Sequence, residues 1–335
     1  MKGGTTMRSF RSVIFLAFCL LSLALSSWIY PSPFVSFVDT GQSPQKTEPQ
    51  KQDEVIRLSS RLVLVPVSAS DAQGKPVRDL KADDFIIEEE GQPQQIATLG
   101  EPGKTPVEIA LIFDISVSIH AQFAFEQQAA VRFVREVLGP ADAVSVFSIG
   151  LTPKLIRART TSGEDAITGL MSIAPLKEPT AFFDAVVEAA TYLGRTADAG
   201  SRRVLVVISD GEENYSQCHT LKAALQELQK NDCLFYSINP SGSAIKLNRV
   251  SLKGQGFMES LSLQTGGKAF LPEKIEDLGA VFRQIADELQ AQYLLGYYSA
   301  DERVDGGFRR ITVRASKRTD LRVRSRQGYY APKPQ

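Results

Sequence analysis

Between Val107 and Gln290, four short and almost wholly apolar runs alternate with longer stretches of helical period, and this alternation constrains the fold more than any other feature. The runs are VEIALIFDI (107–115), AVSVFSIG (143–150), RRVLVVISD (202–210) and CLFYSINP (233–240). Between and after them lie AQFAFEQQAAVRFVREVL (121–138), TAFFDAVVEAATYLG (180–194) and EDLGAVFRQIADELQ (276–290), with apolar residues every three or four positions. A strand without polar alternation is buried on both faces. The expected fold class is therefore α/β: a doubly wound, mostly parallel central sheet flanked by helices, over residues 105–291.

The flanks follow a different pattern. Residues 55–104 and 292–335 carry short runs rich in branched residues, broken by DAQGKP (71–76), by a turn at Gly91 and by DGG (305–307). Each flank has too few strands to bury two faces alone. They are expected to meet as one small β-sandwich, with the α/β region inserted between them. The alternative is that the late strands only extend the central sheet. Pairing of residues 61–68 or 84–98 with 309–325 separates the two. No internal repeat at a fixed period is present.

Ahead of these regions, Lys2, Arg8 and Arg11 precede a run without charge that ends at Asp39. Residues 1–39 read as an export signal or a retained membrane anchor, with Ala24 and Ser26 at the spacing of a cleavage site. The polypeptide after Asp39 is expected outside the cytoplasm, as a periplasmic, extracellular or anchored protein, with the membrane contacted only through the N-terminal segment. Cys19 follows Phe18 where a lipoprotein signal wants a small residue, so lipidation is not expected. Residues 40–54, TGQSPQKTEPQKQDE, lack large apolar residues and read as a flexible linker. Of the exported cysteines, Cys218 and Cys233 flank a predicted helix about 18 Å long at ~1.5 Å per residue, which keeps them apart as separate thiols.

Lys plus Arg and Asp plus Glu are equal at 38 each, so no basic field draws the chain to nucleic acid. Function has to be sought at local sites. In an open parallel sheet these collect beyond the carboxyl ends of the strands. FDISVSI places Asp114, Ser116 and Ser118 there, EPTAFFDAV places Thr180 before a helix, and VVISDGEEN places Asp210 after a strand. All are oxygen donors, with no His or Cys, which suits a hard divalent cation such as Mg²⁺, Mn²⁺ or Ca²⁺.

This set resembles the metal-ion-dependent adhesion site of a von Willebrand factor type A (VWA) domain: Asp-x-Ser-x-Ser on one loop, Thr on a second and Asp before Gly on a third. The resemblance implies a Rossmann-like VWA fold and a divalent ion, Mg²⁺ foremost. Ser116 and Ser118 would hold it directly, Thr180 directly or through water, and Asp114 and Asp210 mainly through water. It also implies one coordination position left to an Asp or Glu carboxylate of a partner protein. Val117 and Ile119 stand where Gly and Met or Val are frequent, which touches loop conformation but removes no ligand. GKPVRDLKADDFIIEEEGQPQQI before the region, and QYLLGYYSADERVDGGFRRITVRA with VRSRQGYY after it, resemble an exported, acidobacterial-type family of VWA-domain proteins.

Other polar residues have plainer readings. Asp184, four residues after Thr180, is expected to support the loop rather than touch the ion. Glu212, Glu213 and Asn214 read as a solvated helix entrance, and His120 and His219 as surface residues. Arg202, Arg203, Arg309, Arg310, Arg322, Arg324 and Arg326 alternate with apolar residues and read first as exposed strand faces, with a patch for an acidic partner as the alternative. Three function classes follow: a non-catalytic binding module that captures an acidic residue through its ion, an envelope assembly component whose ion only stabilises loops, and an enzyme. The third is disfavoured. No Gly-x-Ser-x-Gly elbow accompanies the histidines, no glycine-rich loop ends in Lys-Ser or Lys-Thr, and Ser116 stands where an aspartyl phosphotransferase wants a second acid.

Overall fold

The computed structural model describes residues 62–116, 123–176, 178–242 and 249–333. The export segment, the linker, Ser118 and His120 lie outside the described residues. In chain order, β1 (Leu62–Ser70), β2 (Phe85–Glu89), β3 (Gln92–Gln94) and β4 (Ile96–Gly100) come first. The central region runs β5 (Val107–Asp114), α1 (Phe123–Val137), β6 (Ala143–Ile149), β7 (Lys154–Thr160), α2 (Gly163–Met171), α3 (Phe182–Thr196), β8 (Arg202–Ile208), α4 (Leu221–Lys230), β9 (Cys233–Ile238), α5 (Arg249–Thr265), β10 (Ala269–Phe270) and α6 (Leu278–Ala291). The chain closes with β11 (Tyr293–Tyr298), β12 (Phe308–Ala315), β13 (Arg322–Ser325) and β14 (Gly328–Tyr330).

The central sheet has the order β10-β9-β8-β5-β6-β7 and is parallel except for β7, which pairs antiparallel with β6 at the edge. Every residue of β5 is buried, and the pleat sorts its side chains into two cores. Ile109, Leu111 and Phe113 join Ala130, Phe133, Phe282 and Ile285 of α1 and α6 on one face. Ala110 and Ile112 join Val186 and Ala189 of α3, Leu228 of α4 and Leu261 of α5 on the other. Each covering helix thus buries a stripe against a strand that is apolar on both sides.

The flanking strands meet as expected. They form two four-stranded sheets, β13-β1-β11-β4 and β14-β12-β2-β3, each mixing strands from before and after the α/β region. β1 runs antiparallel to β11 from Leu62↔Tyr298 to Val67↔Tyr293, and β12 to β2 from Ile311↔Glu89 to Ala315↔Phe85. Between the sheets, Val65, Val67, Ile87, Tyr293, Tyr297, Ile311 and Tyr329 form one core. None of the late strands joins the central sheet. The α/β region leaves the sandwich after Gly100 and returns at Leu294, which are paired neighbours in β4 and β11.

Three arginines depart from the exposed-face expectation: Arg202, Arg309 and Arg326 are buried. Arg202 donates to Leu289 O (2.5 Å), Thr105 O (2.8 Å) and Gln292 Oε1 (3.3 Å), so it holds together the two connections between α/β region and sandwich. Arg326 pairs with Asp232, donates to Leu64 O and lies over the Tyr329 ring. Arg309 pairs with Asp301 (2.7 Å) and Asp305 (3.0 Å). Arg309 shares the buried face of β12 with Ile311 and Val313, and the two aspartates supply the charge that lets it stay there. Arg310 and Arg322 are exposed.

The two thiols are free, with Cys218 exposed and Cys233 buried at opposite ends of α4. Among the described residues, no helix is long and apolar enough to cross a membrane.

Candidate metal centre

Asp114 is the last residue of β5 and is fully buried. Its Oδ1 accepts the Ser116 N–H (2.9 Å) and its Oδ2 accepts the Ser209 hydroxyl (2.6 Å). The first bond folds the chain back just past the strand, as Asx turns do. The Ser209 hydroxyl oxygen in turn accepts the Gly211 N–H (2.9 Å), so the loop after β8 is bound to the end of β5. Gly211 sits at φ +74, where a side chain is strained, and its backbone lies against Gly254 of α5. A Cβ at Gly254 would stand 2.5 Å from the Gly211 carbonyl carbon. Asp210, also buried, accepts the Glu212 N–H at Oδ1 (3.0 Å).

Thr180 reaches the same place from a third loop. Ile149 pairs with Asp114 across the sheet, the next carbonyl, Gly150 O, accepts the Ala181 N–H (2.9 Å), and Thr180 is itself buried. Its N–H donates to Asn214 Oδ1 (2.8 Å), and its carbonyl accepts the Asn214 and Tyr215 N–H groups. Ala181 offers no side-chain cap to α3. Glu213 and Ser216 supply it from the neighbouring loop, both accepting the Phe183 N–H (3.0 and 3.1 Å). The expected solvated helix entrance at 212–214 is therefore wrong. Glu213 and Asn214 knot the loop after β8 to the start of α3, Glu212 accepts the Ser251 hydroxyl of α5 (2.9 Å), and α4 begins only after Thr220.

Asp184 lies in the first turn of α3. Its Oδ2 accepts the Gln217 (3.0 Å) and Cys218 N–H groups, and its Oδ1 meets His219 Nδ1 (2.9 Å). His219, read as a surface residue, is partly exposed and paired with Asp184.

The structure brings Asp114, Ser116, Thr180 and Asp210 to the carboxyl ends of β5 and β8, where the strand order turns from β5–β6 on one side to β5–β8 on the other. It adds a residue that sequence reasoning missed. Glu126 of α1 is fully buried, and neither of its carboxylate oxygens has a hydrogen-bond partner among the described residues. It lies three residues after Phe123 and four before Ala130, on the stripe that fills the core, so helical period alone places it inside.

Burial raises the Asp114 carboxyl from 3.8 to about 6; the Ser209 bond opposes this and the Asp210 charge adds to it. Burial, then the charges of Asp114 and Asp210, raise Glu126 from 4.5 to about 8. Among the described residues no basic side chain offsets either group. Nor do three acidic, His or Cys side chains converge closely enough to chelate an ion by themselves. The donor set, hydroxyls and spaced carboxylates starved of positive charge, fits a hard cation that keeps much of its water.

No protein-family model matches the chain, and neither does any curated protein. Among solved structures, it is similar to an aerotolerance-related membrane protein of Bacteroides fragilis, at 21% identity over 55% of this chain and 98% of that one, with a TM-score of 0.43. BatB of Bacteroides thetaiotaomicron is similar at 21% identity over 54% and 98%, TM-score 0.43. So is the vWF domain of the type V pili tip protein Mfa5 of Porphyromonas gingivalis, at 13% over 54% and 94%, TM-score 0.42. The chain is therefore similar over about half its length to solved structures that include a von Willebrand factor domain.

Proposed function

We propose that this is an exported, non-catalytic binding protein whose VWA-like region holds a divalent cation, Mg²⁺ foremost, and uses it to capture an Asp or Glu carboxylate of a partner protein. Asp114, Ser116, Thr180 and Asp210, with Ser118 from the sequence motif, are the proposed ion-binding residues. Asp184 is assigned a supporting role through the 217–219 loop. The observation that carries the reading is the buried, uncompensated negative charge of Asp114 and its neighbours where three loops meet. Unpaired buried carboxylates are costly unless a cation joins them.

The rival reading, an envelope component whose ion only stiffens loops, is weakened by the bonds that already tie those loops. Asn214, Glu213, Ser216 and, through its bond to Asp114, Ser209 join them directly. An ion is not needed for that purpose.

The test is capture of envelope and secreted proteins on the full chain, with Mg²⁺ or with chelator, beside an Asp114→Ala variant. The expected result is a partner recovered only with Mg²⁺ and only by the wild type. Recovery of the same proteins under all conditions refutes ion-dependent capture.

A further inference from the structure

The two ionisable residues at the strand ends, Asp114 and Asp210, would balance a divalent ion by themselves. The site has a third acid. Glu126 enters from α1, the helix that follows the Asp114 loop, and Phe123 one turn before it packs edge-on against Phe113, the residue preceding Asp114, with ring centroids 6.1 Å apart. The carboxylate is fully buried with both oxygens unpartnered, whereas its neighbour Gln127 is tied to the carbonyls of Leu170 (2.8 Å) and Ile173 (3.2 Å). Among the described residues, the charges that act on it are those of Asp114 and Asp210.

A residue satisfied by packing alone would be apolar here, continuing the stripe of Phe123, Ala130, Phe133 and Val137. An acid kept for a structural hydrogen bond would have a donor. Glu126 has neither justification. Its burial beside two further acids is accounted for when positive charge is bound near all three.

We propose that Glu126 is a third carboxylate of the cation site, acting from beneath the strand ends through its charge and through water, so that the ion stays bound between partner encounters. This rests on the cation site proposed above. Direct ligation is not implied, since the acids do not converge closely enough to chelate. A charge in this relation to directly bound groups typically alters metal affinity by about 10- to 100-fold.

The test is calorimetric titration of Mg²⁺ and Mn²⁺ into the detergent-solubilised full chain, comparing wild type, Glu126→Gln and Glu126→Asp. Glu126→Gln keeps shape and removes charge, and is expected to weaken both ions by about 10- to 100-fold. Its melting temperature in chelator should be no lower than that of the wild type. Glu126→Asp keeps the charge and is expected to recover most of the lost affinity; it also serves if the Gln variant does not fold. Equal affinity in wild type and Glu126→Gln, or equal loss in the Gln and Asp variants, would overturn the assignment and leave the cation site standing. A wild type that takes up neither ion would remove the site and this inference together.

Discussion

Raising the pH should destabilise the cation-free protein, and Mg²⁺ should reverse the loss. A carboxyl whose folded pKa lies above its unfolded value stabilises the fold when protonated, so its contribution is full below the unfolded pKa and is lost as pH rises through the folded one. For Glu126 the window runs from 4.5 to about 8, and for Asp114 from 3.8 to about 6. At about 1.4 kcal/mol per pH unit, Glu126 alone corresponds to about 5 kcal/mol and Asp114 to about 3. These figures do not add, because part of the Glu126 displacement is the Asp114 charge. If relaxation and water entry halve the larger figure, about 2–3 kcal/mol remains, or roughly 3–5 °C in Tm for a folded unit of this size. A bound cation supplies the missing charge, so ion and proton compete. The assay is thermal unfolding from pH 5 to pH 8.5, in chelator and in millimolar Mg²⁺. Tm in chelator should fall across that range, and the Mg²⁺-induced rise should be small at pH 5 and largest at pH 8.5. A chelator curve flat with pH, or a Mg²⁺ effect equal at both ends, refutes the reasoning.

Asp114→Ala and Asp210→Ala should weaken cation binding more than Ser116→Ala or Ser118→Ala, because they remove charge rather than one neutral oxygen; calorimetry ranks them and circular dichroism should stay native. Cys218 should react with a thiol reagent in the folded protein and Cys233 only after unfolding, since burial pushes the Cys233 thiol up; a bridged peptide after unfolding without reductant would contradict the separation along α4. Gly254→Ala should cost about 1–3 kcal/mol in denaturant unfolding, because its Cβ meets the Gly211 backbone rather than a yielding side chain. The same variant should weaken Mg²⁺ binding by shifting Asp210.

What could be read in advance divides along physical lines. β5, β8 and β9 were legible because doubly buried strands are apolar throughout, and the meeting of Asp114, Ser116, Thr180 and Asp210 was legible because polar groups close those apolar runs. The sandwich was legible from the shortage of strands in either flank. α5 was not: Gly254, Gly256 and three serines blur its periodicity, and Gly254 is there for a backbone contact visible only in three dimensions. β7, an edge strand with four of its seven positions at least partly covered, and the short α2 escaped for want of a clear apolar stripe. Glu126 was overlooked because acidic residues default to the solvent side, although its spacing from Phe123 and Ala130 placed it inside. The buried arginines failed because their partners do not show in the alternation: Arg202 and Arg326 are met by groups from distant parts of the chain, and Arg309 by Asp301 and Asp305 of the preceding turn.

The pairing of β1 with β11 also determines how the molecule would carry a load. Suppose the chain is held before Leu62 while a captured partner pulls on the central region. Tension then enters β1 at Leu62 and β11 at Tyr293, which lie at opposite ends of their shared ladder, since Leu62 faces Tyr298 and Val67 faces Tyr293. Force applied that way slides the strands along one another and strains their hydrogen bonds together, rather than peeling them apart one by one. β4, leaving at Gly100 beside Leu294, takes up the pull at the same end of β11. Within the described residues, the ladder between β1, which leads into the sandwich, and β11, which returns from the insertion, is thus laid out in shear, the geometry in which a β-ladder resists traction best.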